Sequence, residues 1–201
     1  MLISYMKMEL IIPEALKEEF ATIEDILAGN GKTKGVDALL LGWIKYEKQL
    51  RRLFSFFIFQ HPAITKESRD DVIAMLANNT HIYPKTLIKA IEKLGVTTIP
   101  ILLGEKHQAM CDEIFRIKKY RDKLMHGQLT GTSIESPQLE QDLRHIIAWV
   151  DALAQAAEMA FGYDGLKRNT YKFAKNTAPI YVQNYPFSNL EELKIWVSKL
   201  K

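Results

Sequence analysis

The sequence predicts an all-α fold, an up-and-down four-helix bundle with an N-terminal helix and a C-terminal helical appendage. Three observations lead there. Long stretches place apolar residues at three- and four-residue steps, the period of a helix face. Proline and glycine punctuate those stretches at their ends. Finally, the links between the long periodic segments are short, as they are between neighbouring helices of a bundle.

The elements follow in order. Pro13 suits a first helical position and Gly29 to Gly31 a stop, which gives a helix over 13–28. The next helix, 36–60, carries Val36, Leu39, Leu40, Trp43, Leu50, Leu53, Phe54 and Phe57 on one face, with Glu47 on that same face. His61-Pro62 ends it, because the residue before a proline is pushed away from helical angles. Its end, Phe54 to Phe59, is apolar almost all round, which predicts burial on several sides or a partner surface. Shorter helices follow at 66–78 and 84–94, the second closed by Gly95. Residues 96–103 read as a short extended, buried connector. The helix over 105–125 has Met110, Ile114, Ile117 and Leu124 on its apolar stripe, and Arg121 stands on that stripe. Gly127 fits just past its end. After a Gly, Thr and Ser-rich loop, Pro137 opens a helix carrying Leu139, Leu143, Ile146, Ile147, Val150, Leu153, Ala157 and Phe161 in register. Residues 162–187 lose the helical period. Ser188 and Glu191 read as a capping box for a last amphipathic helix with Leu190, Leu193, Trp196, Val197 and Leu200. This organises the chain as an arm (1–35), a bundle (36–161) and an appendage (162–201).

Composition limits the function classes. With 201 residues, 47% of them hydrophobic and 25% charged, the chain has the profile of a globular domain with an appendage. A net charge of +3 permits a nucleic-acid partner without demanding one. Cys111 is the only cysteine, so neither an intramolecular disulfide nor a cysteine zinc site can form, as suits a reducing cytosol. Met1 to Pro13 is broken by Lys7 and Glu9 and lacks a signal-peptide pattern. No run approaches the roughly eighteen apolar residues of a spanning helix. The expectation is a cytoplasmic protein with no membrane partner.

Chemistry concentrates in Arg121-Asp122-Lys123-Leu124-Met125-His126-Gly127. Arginine holds phosphate through a planar fork of donors. Histidine exchanges protons near neutral pH. Arg121 falls where the helix would otherwise bury an apolar side chain, so it needs a partner or an anionic ligand. His126 sits at the helix end, where free carbonyls favour positive charge. Asp122 can pair with Arg121 or orient a catalytic group. Lys118, Lys119 and Lys123 add positive field for an RNA chain. Together these residues suit phosphate stabilisation by Arg121 and proton transfer by His126 without a metal.

An Arg-x4-His pattern closing a helix, with a polar residue after the Arg, resembles the HEPN superfamily (higher eukaryote and prokaryote nucleotide-binding domains) over 36–161. Arg121, Asp122 and His126 match its motif. The resemblance implies a four-helix bundle with the motif at the end of the third core helix. It also implies a metal-independent endoribonuclease in which His126 and Arg121 act on the ribose 2′-OH and the adjacent phosphate, leaving a 2′,3′-cyclic phosphate. A homodimer is implied too, because family sites form where two motifs meet, as is a toxin–antitoxin or defence setting with a possible antitoxin partner. Members often carry a polar residue on the first core helix, and Glu47 is the candidate, although it also reads as a buried structural partner for Arg121 or a lysine. The alternative is a non-catalytic module that binds a nucleotide, a nucleic acid or a partner protein.

Other motifs carry less. Gly29-Asn30-Gly31-Lys32-Thr33 lacks the first glycine of a phosphate loop, since that position is Ile26, and it follows a helix. His61, His81, His107 and His145 lack metal-ligand spacing, so no metal or other cofactor is expected. Asn184-Tyr185-Pro186-Phe187 has no accompanying glycine motif. Tyr163, Lys167, Arg168, Tyr171, Lys172, Phe173 and Lys175 interleave bases with aromatics, a pattern that reads as a packed tail with a basic edge or as an RNA surface.

Overall fold

A computed structural model describes residues 10–79, 82–128, 134–167 and 184–200. All regular structure among them is helical: α1 (Lys17–Ala28), α2 (Lys34–Phe59), α3 (Arg69–Asn78), α4 (Pro84–Lys93), α5 (Ile99–Leu103), α6 (His107–Met125), α7 (Ser136–Phe161) and α8 (Leu190–Ser198). The fold class is therefore all-α, as the periodicity predicts, and it is compatible with a helical bundle carrying N-terminal and C-terminal helices.

Two local expectations need correction. The stretch expected to be extended, 96–103, contains α5. Thr98 is extended and caps this helix, its hydroxyl accepting the Ile101 N–H at 3.2 Å, and Pro100 suits the first turn. The connector is also not wholly buried, because Ile101 is 72% exposed. At α8 the cap is Asn189 rather than Ser188. The Asn189 side chain accepts from the Glu192 N–H at 2.9 Å, and Glu192 in turn accepts from the Ser188 N–H and hydroxyl at 2.8 Å each. The box is present but displaced by one residue.

The chain divides into two compact units. The first comprises Met1–Trp43 and Met110–Asp151, the second Ile44–Ala109 and Ala152–Lys201, so the division passes within α2, α6 and α7.

In the first unit, Phe20, Ile23, Leu39, Trp43, Ile117, Leu143, Ile146 and Val150 are buried. A Cβ on Gly35 would lie 3.1 Å from Leu139 Cδ1, and one on Gly42 would lie 2.6 Å from Leu143 Cδ1. The register rises on both helices, so these stretches of α2 and α7 run in the same direction. Arg116 pairs with Asp142 and Glu113 approaches His145 at 3.7 Å, so α6 runs against α7. The Gly29–Thr33 segment is the link between α1 and α2. There Lys34 Nζ donates to the carbonyls of Leu27 and Gly29 at 3.0 Å each, satisfying the open end of α1.

In the second unit, the apolar end of α2 is buried as its composition predicts, with Leu53, Phe54, Phe56, Phe57, Ile58 and Phe59 all at 2% exposure or less. Phe57 meets Phe161 edge-on at 5.0 Å, and Phe56 stacks on Tyr163 at 4.8 Å. The C-terminal segment docks here. The Tyr185 hydroxyl donates to the Phe57 carbonyl at 2.7 Å, and His61 lies 5.3 Å from the Tyr185 ring and 4.8 Å from the Phe187 ring.

Candidate functional site

The site forms where α6 ends in the first unit. Arg121 is an inward position of an amphipathic helix, and its side chain is only 17% exposed. Its guanidinium carbon lies 4.5 Å from the centroid of the Trp43 ring. A flat, weakly hydrated cation on an aromatic face tolerates such burial where an ammonium would not. Arg121 Nη1 also donates to Asp122 Oδ1 at 2.7 Å, while Lys118 Nζ bonds Asp122 Oδ2 from one turn back. Lys118, Asp122 and Arg121 thus form an ion triad, with Trp43 behind the arginine.

His126 is placed differently. A helix turns about 100° per residue, so a continued helix would carry residue 126 about 140° away from the face of Arg121. The helix instead stops at Met125. Gly127 adopts φ +64, its N–H donates to the Leu124 carbonyl at 3.2 Å, and the Gln128 N–H donates to the Lys123 carbonyl at 2.9 Å. This paired closure satisfies the last carbonyls and requires a left-handed residue, which glycine adopts without a Cβ penalty. His126, the last residue before that turn, is exposed. Lys119 and Lys123 are exposed on the same final turns of α6, and Lys118 is half-exposed in its pair with Asp122.

Glu47 is half-buried on α2 and belongs to the second unit. The aromatic that contacts Arg121, Trp43, stands four residues before it on the same helix. Sequence reading placed Trp43 among core residues and missed it as the arginine's platform. The available signal was its position one turn from Glu47 on the stripe of α2.

A second polar cluster in this unit was also missed. Asp142 is fully buried on α7. Its Oδ1 accepts from Arg116, and from Gln138 Nε2 at 2.8 Å, while its Oδ2 is buried with no hydrogen-bond partner among the described residues. Burial pushes the Asp142 carboxyl up despite the opposing pull of Arg116. Arg116 also grips Glu113 Oε2 through two nitrogens, at 2.9 and 2.7 Å, and these hydrogen bonds hold the Glu113 carboxyl below its ordinary range. Asp142 stands one turn before Ile146, which made it a polar residue on an apolar stripe, legible in the same way as Glu47.

Among the described residues no three His, Cys, Asp or Glu side chains gather as a metal-ligating cluster, and no helix is long and apolar enough to cross a membrane. His81 and the basic-aromatic residues Arg168, Tyr171, Lys172, Phe173 and Lys175 lie outside the described residues. No family model, curated protein or solved structure matches this chain.

Proposed function

We propose that this chain is a HEPN-like, metal-independent endoribonuclease that acts as a homodimer, in a toxin–antitoxin or defence setting. The observation that carries the reading is the exit of α6. A glycine turn leaves His126 exposed, five residues after an arginine held on an aromatic platform. In the proposed reaction the His126 imidazole takes the proton of a ribose 2′-OH. The 2′ oxygen then bonds to phosphorus as the bond to the 5′ oxygen breaks. The imidazolium of a second copy protonates that 5′ oxygen, and the products are a 2′,3′-cyclic phosphate and a 5′-hydroxyl. Arg121 neutralises the phosphate oxygens, with Asp122 setting its orientation. Lys118, Lys119 and Lys123 supply positive field along the RNA backbone. Glu47 is proposed as an accessory polar residue, and an antitoxin as a partner. The test is to incubate the protein and its His126→Ala variant with cellular RNA in excess EDTA. Cleavage by the parent alone, with cyclic phosphate ends, is expected, and parent-level cleavage by the variant rejects the assignment.

One observation favours a second reading, a non-catalytic HEPN-like module that binds a nucleotide, a nucleic acid or a partner protein. Arg121 already has an acidic partner in Asp122, shared with Lys118, and lies over Trp43, as a structural arginine would. Folded dimers that cut no RNA, together with an Arg121→Ala variant that unfolds, would favour this reading.

A further inference from the structure

We propose that a pocket in the second unit binds a small amphiphile with a single anionic head, of the medium-chain carboxylate class. The pocket has a volume of about 410 Å³ and is bounded by α2, α3 and the start of α4. That size falls within the roughly 300–1,000 Å³ usual for small-molecule sites. Its wall combines hydrocarbon and aromatic side chains, from Phe54, Ile73, Leu76, Ile82 and Leu87, with the polar side chains of Ser55 and Asn79. Among the described residues its one charged lining residue is Arg51.

Arg51 is prepared for a ligand. Its Nη2 donates to the Ile82 carbonyl at 2.6 Å, which fixes the guanidinium against the chain that links α3 to α4. A guanidinium has five N–H donors in a planar fork, so one such bond leaves others to meet a carboxylate. Among the described residues no carboxylate pairs with Arg51. A half-buried cation beside an apolar wall is costly without a counter-charge, and a carboxylate ligand supplies one. The Ser55 hydroxyl also lines the pocket and donates to the Arg51 carbonyl at 2.9 Å, which leaves its oxygen able to accept.

The charge count selects the class. One guanidinium matches one negative charge, whereas a nucleotide or polyphosphate brings several and finds a single cation. An uncharged lipid fills the wall and leaves Arg51 unmet. The site lies wholly in the second unit, so it stands whether or not the ribonuclease reading holds.

Decanoate is the probe, titrated into the full chain below its micelle concentration by isothermal calorimetry. Saturable one-to-one binding is expected, with decanol at least tenfold weaker. Arg51→Gln should weaken decanoate at least tenfold, and Arg51→Lys should retain part of the affinity. Ala77, an exposed lining residue on α3, provides a second variant, because Ala77→Trp adds bulk to the pocket wall while leaving Arg51 itself unsubstituted, and it should abolish binding. Should Arg51→Gln lose its helical circular dichroism, the decanol comparison and Ala77→Trp decide. Equal binding of decanoate and decanol overturns the proposal. So does undiminished binding by Ala77→Trp, or the absence of saturable decanoate binding by the folded parent.

Discussion

Arg121 lies on the indole of Trp43, with its guanidinium carbon 4.5 Å from the ring centroid. This stack, with the bond to Asp122, gives the arginine two duties that substitution separates. Arg121→Lys keeps the charge but loses the planar stack and the fork, and should lower stability by about 1 kcal/mol. On the ribonuclease reading, Arg121→Ala should also reduce cleavage to background. Thermal melts paired with RNA assays check both. A lysine variant as stable and as active as the parent would remove the platform from the account.

His126 presents the opposite balance. Its side chain is exposed at a helix end, so His126→Ala should change stability by no more than about 0.5 kcal/mol. Its effect should appear in cleavage alone. A large loss of stability would assign the ring a packing role and weaken its place in the chemistry.

Gly127 connects fold to site. It sits at φ +64, and among the described residues nothing lies within 4 Å of the point a Cβ would occupy, so a Cβ there strains only the backbone. Gly127→Ala should cost about 1 kcal/mol, and Gly127→Asn less, because asparagine tolerates the left-handed region better. Cleavage should fall in the same order, since the turn positions His126. Chemical denaturation with both variants tests the ranking, which equal losses would contradict.

His61 makes stability depend on pH. Burial lowers its pKa below the ordinary 6.5, so the unfolded chain takes up the proton first as pH falls. Its contribution is therefore complete above about pH 6.5 and drains away as pH drops through that value toward the lower folded one. His61 Nδ1 accepts the Ala63 N–H at 3.2 Å, a bond that asparagine can replace through its own side-chain oxygen. His61→Asn should melt with a flatter pH dependence between about pH 7.5 and 5.5. An unchanged slope would locate the titration elsewhere.

Asp142 works in the other sense. Its carboxyl is raised by burial, so the folded chain holds the proton more tightly than the unfolded chain. The associated stability is present below the ordinary value of 3.8 and is lost as pH rises through the raised folded value. Asp142→Asn keeps an acceptor for Arg116 and Gln138 and should remove this slope. Asp142→Ala strands those donors and should cost about 1–3 kcal/mol. Denaturation profiles across mildly acid pH distinguish the two, and an asparagine variant with the parent's slope would count against the assignment.

Much of the secondary structure was legible because its causes are local. The stripe of α2 and its stop before Pro62 are written into a few consecutive residues, as is the glycine closure of α6. Local signals misled where they were close to degenerate. Ser188 and Asn189 both cap well, and the cap falls on Asn189, whose backbone is extended at φ −150 and ψ 174 and whose side chain accepts the Glu192 N–H. Val96 to Leu103 has strand-like composition, yet the Thr98 hydroxyl and Pro100 begin a helix there.

The sequence by itself determined the all-α class, the run of α6 and the presence of Arg121, Asp122 and His126 at its end. Each follows from side-chain period, capping and backbone geometry within a few residues. Only the tertiary structure decided that Trp43 lies against Arg121 and that Asp142 is buried beneath Arg116. It likewise decided that α2 and α7 run the same way in the first unit. The physical reason is that a periodic stripe specifies which face of a helix is buried, whereas its partner is selected by how side chains from distant parts of the chain fill shared space.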